Sequence, residues 1–271
     1  MQTQVSIGHI KIGQKPFVFI GGPCVIEGRD ITLTIAEKLL KITEALHVPF
    51  IFKSSYDKAN RTSVGSFRGL GIEKGLEILS EIKATFDIPV LTDVHNVEEA
   101  FMAGRVVDVL QVPALLSRQT DLLVACGKTG KPVNIKKGQF LSPYDIQYAI
   151  NKVVSAGNRQ ILITERGTSF GYNTLVNDFR SIPIMKGFGY PVIFDATHSV
   201  QKPGAASGRS GGEREFVFPL AKAALAVGVD GIFMEVHLDP SKAVCDGENS
   251  IALDDLPAML KTLKNIEEAL R

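Results

Sequence analysis

The sequence predicts an α/β protein folded as a (β/α)8 TIM barrel with a short N-terminal β-hairpin. Three observations carry this prediction: short apolar runs alternate with longer amphipathic runs, eight of the short runs are present, and the 271 residues match the roughly 250 that one such barrel needs. Strands buried on both faces give nearly continuous apolar runs. Strict alternation with helices implies parallel strands, and eight units favour closure into a barrel over an open sheet.

The predicted strands are the eight apolar runs, each five to eight residues long. In chain order they span residues 17–24, 50–55, 90–94, 109–113, 133–137, 160–166, 192–198 and 231–237. Residues 1–16 precede the first strand and are interpreted as a small hairpin that caps the bottom of the barrel.

Four longer stretches are predicted helices. Residues 31–47, 71–86 and 254–270 carry apolar side chains at three- and four-residue spacing, which is the pattern of a helix with one buried face. Residues 213–227 form the fourth, in which Pro219 could introduce a kink or a break.

The chain has no linker or charged block that would divide it, so residues 1–271 are predicted to form one catalytic domain. Two segments, 203–212 and 239–250, are rich in glycine or in small and polar residues. They follow the seventh and eighth predicted strands, where loops over a site would lie, and we expect them to be mobile.

The composition argues against two classes of partner. A net charge of +1, from 30 basic and 29 acidic residues, gives no general attraction for nucleic acid, so a positive site must be local. No apolar run approaches the roughly 20 residues of a membrane span, and the N-terminus does not resemble a signal peptide. The protein is therefore expected in the cytoplasm, where its three cysteines, Cys24, Cys126 and Cys245, would stay reduced.

Polar side chains collect at the carboxyl ends of the predicted strands, where barrel enzymes build their active sites. Any one of them could be merely solvated, but all eight strands carry at least one. In strand order they are Cys24, Lys53, Asp93 with His95, Gln111, Lys136 with Lys137, Glu165 with Arg166, Asp195 with His198, and Glu235 with His237.

A group of basic residues at or shortly after these strand ends indicates an anion site. Its members are Lys53, Lys58, Arg61, Lys136 and Arg166. Five cations at one barrel mouth would repel each other unless anions bind between them. Phosphate or carboxylate ligands would neutralise the cluster, and arginine offers a bidentate fork to either.

A second group indicates a divalent metal site. Cys24, His198 and Glu235 lie on the first, seventh and eighth strands, which become neighbours only when the barrel closes, and Asp246 could reach back from the following loop. A thiolate, an imidazole and a carboxylate suit a first-row divalent ion. Alone, a cysteine such as Cys24 is more often a small buried residue than a ligand, and His198 could be a base or a hydrogen-bonded core residue, while Cys245 could be a spare thiol.

Six motifs closely resemble the 3-deoxy-D-manno-octulosonate 8-phosphate synthase family over nearly the whole chain and in the same order. They are GGPCVIE (21–27), FKSSYDKANRTSVGSFRG (52–69), RQTDLL (118–123), NIKKGQF (134–140), TERGTSFGYN (164–173) and FDATHSVQ (194–201). The resemblance implies a (β/α)8 barrel, usually a homotetramer, that condenses phosphoenolpyruvate with D-arabinose 5-phosphate and releases inorganic phosphate. Its product feeds the sugar acid of bacterial lipopolysaccharide.

The resemblance also implies roles at individual positions. Lys58, Lys136 and Arg166, with Gln111 and Lys53 nearby, match the phosphoenolpyruvate pocket. The segment Asn60, Arg61 and Thr62 matches the part that holds the sugar phosphate, with threonine where serine is common. Arg118 matches a residue that reaches the sugar phosphate of a neighbouring subunit. The residues expected to be catalytic are Lys58, Lys136, His198 and Asp246.

The metal-dependent branch of the family is matched by Cys24, His198, Glu235 and Asp246, which implies zinc, iron, manganese or cobalt. The other branch has asparagine at the position of Cys24 and needs no metal. One feature is mixed, because Cys245-Asp246-Gly247 looks more like the metal-independent branch.

Two alternatives remain open at the level of sequence. The 3-deoxy-D-arabino-heptulosonate 7-phosphate synthases share the barrel and the donor but use erythrose 4-phosphate. They usually carry Lys-Pro-Arg-Thr-Ser where this chain has residues 58–63, KANRTS, and the Ala-Asn pair favours the pentose. The second alternative is a non-catalytic sugar-phosphate-binding barrel, which would need the basic residues but no complete metal set.

Overall fold

The structure is a computed structural model that describes residues 3–206 and 209–270. Its centre is a closed parallel barrel in which each strand pairs with the next and the seventh and eighth strands close the ring with the first. The strands are β1 Val18–Gly22, β2 Phe50–Lys53, β3 Val90–Asp93, β4 Val109–Val112, β5 Val133–Lys136, β6 Ile161–Glu165, β7 Val192–Asp195 and β8 Gly231–His237. The predicted (β/α)8 barrel is confirmed.

A helix follows every barrel strand and carries the same number. The helices are α1 Arg29–Ala45, α2 Ile72–Phe86, α3 Val97–Gly104, α4 Thr120–Lys128, α5 Ile146–Ser155, α6 Ser181–Lys186, α7 Val217–Val227 and α8 Leu256–Ala269. Helix α7 begins later than predicted, after a 3-10 turn at Arg214–Phe216. Pro219 lies in its first turn and does not break it, because an amide N–H there has no partner within the helix.

An antiparallel hairpin of Val5–Ile7 and Ile10–Ile12 closes the bottom of the barrel. In each of its strands the outer two residues are buried and the middle one is exposed. The buried side chains join one apolar cluster with side chains from inside the barrel, including Val18, Leu91 and Ile193. The predicted cap is therefore confirmed for the described part of residues 1–16.

Several barrel strands end earlier than predicted, and this changes where the polar residues sit. Cys24 lies two residues beyond β1, and His198 opens a 3-10 turn, His198–Val200, three residues beyond β7. Apolar side chains such as Val25 remain buried past the strand end, so the hydrophobic run in the sequence continues after the sheet pairing stops.

Of the two segments expected to be mobile loops, the first has regular structure over its described residues, and the second is irregular apart from one 3-10 turn. Gln201–Ala206 pairs with Arg209–Gly212 as an antiparallel ribbon, and positions 207 and 208 lie outside the described residues. The segment after β8 contains a 3-10 turn, Pro240–Lys242, and leads into a short strand, Ile251–Ala252, that pairs with β8. Among the residues that the structure describes, no helix has the length and apolar character needed to cross a membrane.

Candidate active site

A cavity of about 970 Å³ opens at the carboxyl ends of the strands. Ten predicted site residues line it: Lys53, Lys58, Asn60, Arg61, Thr62, Gln111, Lys136, Arg166, His198 and Asp246. The side chains of Cys24 and Glu235 lie behind its wall, in contact with Asp246 and His198 respectively. The barrel mouth thus gathers all but one of the residues that the sequence singled out.

The turn after β1 is held to β2, and this fixes Cys24. A Cβ on Gly22 would lie 2.0 Å from the carbonyl oxygen of Lys53, so only glycine allows the two strand ends to approach so closely. Lys53 Nζ donates to the carbonyl oxygen of Cys24 at 3.3 Å, and the Ser54 hydroxyl donates to that of Pro23 at 3.0 Å.

Asp195, at the end of β7, joins two of the predicted residues. Its carboxylate accepts a hydrogen bond from Lys136 Nζ and lies 2.7 Å from His198 Nδ1. Burial would raise the pKa of Asp195, but the charges of His198 and Lys136 hold it well below its usual range. The sequence placed Asp195 at a strand end without giving it a role, and the structure shows that it orients both a lysine and the ring of a candidate metal ligand.

The pKa values of the two partners of Asp195 shift in opposite directions, although burial lowers both. Burial lowers the pKa of Lys136, and the nearby charge of Lys53 adds to this, despite the attraction of Asp195. Burial would also lower the pKa of His198, but attraction by Asp195 and Glu235 raises it above its ordinary value. The ammonium group of Lys136 therefore releases a proton more readily than that of an ordinary lysine.

Glu235, on β8, is a buried carboxylate with ionic neighbours but no hydrogen bond. Its Oε1 lies 3.4 Å from His198 Nε2, 3.6 Å from Lys53 Nζ and 3.8 Å from Lys58 Nζ. Neither oxygen accepts a hydrogen bond from any described residue, although the residue is only 1% exposed. A buried carboxylate left in this way is costly unless a further cation binds it.

The four predicted metal ligands, together with Cys245, form two overlapping groups. Ligand atoms of His198, Glu235 and Asp246 lie within 4.8 Å of one another, and so do those of Cys24, Cys245 and Asp246. This donor set and the unsatisfied Glu235 fit a first-row divalent ion. Burial and the neighbouring Cys245 raise the pKa of Cys24, so its thiol would release a proton when an ion binds.

Arg166 follows β6 and is the residue that most clearly indicates an anion-binding site. Its Nη2 donates to Gln201 Oε1 at 2.7 Å, while its Nη1 is buried without a partner among the described residues. Burial lowers the pKa of this guanidinium despite the attraction of nearby carboxylates. An oxyanion in the cavity would satisfy the free nitrogen.

The segment after β2 forms one wall of the cavity. Asn60 and Thr62 are exposed there, whereas Arg61 reaches the loop after β8. Arg61 Nη1 lies 3.0 Å from Cys245 Sγ, and its Nη2 donates to the carbonyl oxygen of Val244 at 3.3 Å. Cys245 is a free thiol and is in contact with the site.

Arg118 is the predicted residue that the structure does not bring to the mouth. It is exposed and lines a separate cavity of about 340 Å³ with Tyr148 and Lys152. Phe140, which is 51% exposed, lines the same cavity. Tyr144, which is 60% exposed, precedes the lining residue Asp145 in the sequence.

Two histidines have partners that the sequence did not reveal. His95 lies between Glu99, 2.9 Å from Nδ1, and Asp93, 3.2 Å from Nε2, in the cavity wall. His237 Nδ1 contacts Asp239, and its Nε2 lies 3.5 Å from Glu27. The proximity of His95 to two acidic residues along the sequence was the available signal.

Comparisons with known proteins show which family the chain resembles over its whole length. The model of the DAHP synthetase I family matches residues 2–271. The 2-dehydro-3-deoxyphosphooctonate aldolase of Geotalea daltonii is 57% identical over 272 residues and is covered completely, as is this chain. The proteins of the same name from Geobacter metallireducens and Geotalea uraniireducens are 55% and 57% identical, again over 100% of both chains.

Proposed function

We propose that this chain, which belongs to the DAHP synthetase I family and within it to the 2-dehydro-3-deoxyphosphooctonate aldolases, condenses phosphoenolpyruvate, D-arabinose 5-phosphate and water. The products are 3-deoxy-D-manno-octulosonate 8-phosphate, which supplies lipopolysaccharide biosynthesis, and inorganic phosphate. The observation that carries this proposal is the buried, unpartnered Nη1 of Arg166 in a cavity lined by Lys53, Lys58 and Lys136. An enzyme with two anionic substrates needs such a site.

The inner part of the cavity is proposed to bind phosphoenolpyruvate. Lys58, Lys136 and Arg166 would contact its carboxylate and phosphate, with Lys53 and Gln111 beside them. All five residues line the cavity, and four of them are 6% exposed or less, the exception being the partly exposed Lys58. Cations held in a low-dielectric site bind oxyanions more strongly than exposed ones do.

The outer part is proposed to bind the sugar phosphate. The wall of the cavity there includes Asn60, Arg61 and Thr62. D-arabinose 5-phosphate, the longer of the two substrates, would extend toward them. Arg118 is too exposed and too differently placed to belong to the same mouth, so we assign it to the site of a neighbouring subunit in a homotetramer. This assignment makes the active site complete only in the assembly.

The chemistry joins the enol carbon of phosphoenolpyruvate to the aldehyde carbon of the sugar. Water adds to the carbon that bears the phosphate oxygen, and cleavage of that C–O bond releases phosphate. Lys136, whose ammonium is oriented by Asp195 and made more acidic by burial, is placed to donate a proton to an oxygen that gains negative charge. Holding both substrates in register can contribute about 7–11 kcal/mol to lowering the barrier.

A divalent ion is proposed as the cofactor, held by Cys24, His198, Glu235 and Asp246. When bound, it would polarise the aldehyde or the attacking water as a Lewis acid. Asp195 orients the His198 ring through Nδ1 and leaves Nε2 facing Glu235 and Asp246. The buried thiols of the site require a reducing compartment, so the cytoplasm is part of the proposal.

One assay tests the substrates and the metal together. Phosphate release from phosphoenolpyruvate should require added D-arabinose 5-phosphate, with kcat/KM at least about tenfold above that for erythrose 4-phosphate. Treatment with a chelator should abolish the rate, and single divalent ions should restore it. Equal or reversed kcat/KM values would overturn the proposed acceptor. A full rate from protein shown to hold no metal would overturn the cofactor.

A further inference from the structure

We infer that Cys245 is a second thiolate ligand, so that this chain binds its ion through two sulfurs as well as through imidazole and carboxylate groups. The inference rests on the metal site proposed above and adds a ligand to it. Its consequence is a site that prefers ions with an affinity for sulfur, such as zinc, over magnesium or manganese.

The first support is the distance between the two sulfurs. Cys24 Sγ and Cys245 Sγ are 2.9 Å apart, and Asp246 Oδ2 lies 3.4 Å from Cys24 Sγ. Both cysteines are 4% exposed, and with Val25 they form a small buried cluster of their own. With zinc–sulfur bonds of about 2.3 Å and an angle of about 90–110° between them, two sulfurs lie about 3.3–3.8 Å apart, so an ion would need to separate this pair by no more than about 1 Å.

The second support is that the backbone on both sides of Cys245 is fixed. The amide of Val244 donates to Glu27 at 3.2 Å, and its carbonyl oxygen accepts from Arg61. The carbonyl oxygen of Asp246 accepts from the amides of Asn249 and Ser250, each at 3.0 Å. Cys245 is therefore held at the site by contacts on either side and does not depend on the ion for its position.

The third support comes from the residue that follows the pair. Asp246 adopts a left-handed backbone conformation with φ of 49°, which is uncommon for a residue other than glycine. A Cβ on Gly247 would lie 2.4 Å from the carbonyl oxygen of Pro240, so a side chain there would displace the turn. The turn thus places Cys245 and Asp246 side by side. This gives the Cys245-Asp246-Gly247 run, which resembles the metal-independent branch, a structural role at the proposed metal site.

The charges around the site can balance a second sulfur ligand. Arg61 Nη1 lies 3.0 Å from Cys245 Sγ, so a positive charge stands beside the proposed ligand. Two thiolates with Glu235 and Asp246 carry four negative charges. A divalent ion together with Lys53 and Lys58, whose ammonium groups lie 3.6 Å and 3.8 Å from Glu235, balances them.

Cadmium is the probe for the first experiment, because each cadmium–sulfur bond adds to an ultraviolet charge-transfer band. We expect reduced wild-type protein with one equivalent of cadmium to show about twice the band intensity of either Cys24→Ser or Cys245→Ser. Cys126→Ser is the matched control: this third buried cysteine lies in α4, outside both groups of candidate ligands, and burial raises its pKa to about 12. It should leave the band unchanged.

A band of full intensity in Cys245→Ser would overturn the inference, and so would wild-type protein that binds no cadmium. The second experiment needs no variant, which protects the test if Cys245→Ser fails to fold. X-ray absorption of the wild-type enzyme loaded with zinc should count two sulfur neighbours, and a count of one or none would overturn the inference. Neither readout depends on turnover, so failure here and failure of the proposed reaction are distinguishable.

Discussion

The two ends of the barrel are closed by side chains that are equally buried but chemically opposite. At the bottom, Val5, Ile7, Ile10 and Ile12 of the hairpin are 4% exposed or less and contact other apolar side chains. At the mouth, buried residues carry charge: Lys53 and Glu235 are each 1% exposed, Lys136 is 6% exposed, and Asp195 is fully buried. Burial therefore does not distinguish the two ends, whereas the state of their polar groups does.

The difference shows where the molecule is complete and where it needs a ligand. Apolar burial at the bottom stabilises the fold by about 25 cal/mol per Å² without any further partner. At the mouth, the Nη1 of Arg166 and both oxygens of Glu235 lack hydrogen bonds within the described chain. Removing charges from water costs several kcal/mol per ion unless partners replace the water. We therefore expect changes at the bottom to alter stability, and changes at the mouth to alter activity.

The largest expected effect is at Arg166. Arg166→Met should lower kcat/KM by a factor of about 30 to 5,000, or about 2–5 kcal/mol, because a buried partner of an anionic substrate is lost. The thermal midpoint should stay the same or rise, since a guanidinium nitrogen without a partner no longer has to be buried. Steady-state kinetics and thermal unfolding of the purified variant would measure the two changes.

Arg166→Lys is the matched control, since it keeps the charge and loses the planar fork. It should retain more activity than Arg166→Met but less than the wild type. A stable Arg166→Met variant with unchanged kcat/KM would contradict the expectation that changes at the mouth of the barrel alter activity. A marked fall in its stability would do the same, because it would show Arg166 to be a structural residue.

The next effect is at Ile12, in the second strand of the hairpin. Ile12→Ala should lower the free energy of unfolding by about 2–4 kcal/mol, because it opens a cavity at the base of a closely packed interior. The kinetic constants of the folded fraction should not change. Lys11→Ala, at the exposed middle position of the same strand, should leave stability within about 0.5 kcal/mol of the wild type. Urea unfolding and the phosphate-release assay test both, and a loss of kcat in folded Ile12→Ala would contradict the division between the ends.

The same contrast explains what the sequence could predict. Parallel strands buried on both faces leave uninterrupted apolar runs, so the eight strands and the cap were recognisable without knowledge of the contacts. The exact ends of the strands were not recognisable, because apolar residues such as Val25 stay buried after the sheet pairing has stopped. The types of polar residue at the mouth were visible, but their partnerships were not: Asp195 meets Lys136 across 59 positions, and Cys245 meets Cys24 across 221.

The smallest expected effect is the activity recovered when inactive variants exchange subunits, and it tests whether the mouth of the barrel is completed by a neighbouring chain. The bottom of the barrel is complete within one chain, whereas the mouth, if Arg118 serves a neighbour, is not. Arg118→Ala and Lys136→Ala should each be inactive alone, since each removes one part of every site. When the two variants are mixed and reassembled, a site with one intact Arg118 and one intact Lys136 should form in about a quarter of cases, since each position is filled independently.

The expected result is thus a recovered rate of up to about a quarter of the wild-type rate per site, and only after exchange of subunits. Native mass spectrometry should first confirm that mixed oligomers form. A mixture of Lys136→Ala with Arg166→Met is the matched control, because both residues line the same mouth of one chain and their exchange creates no complete site. Recovery with Arg118→Ala but not with Arg166→Met would locate Arg118 across the interface. If mixed oligomers form but stay inactive in both mixtures, the prediction is wrong. Each active site would then depend on its own chain alone, and Arg118 would be a surface residue without a role in a neighbouring site.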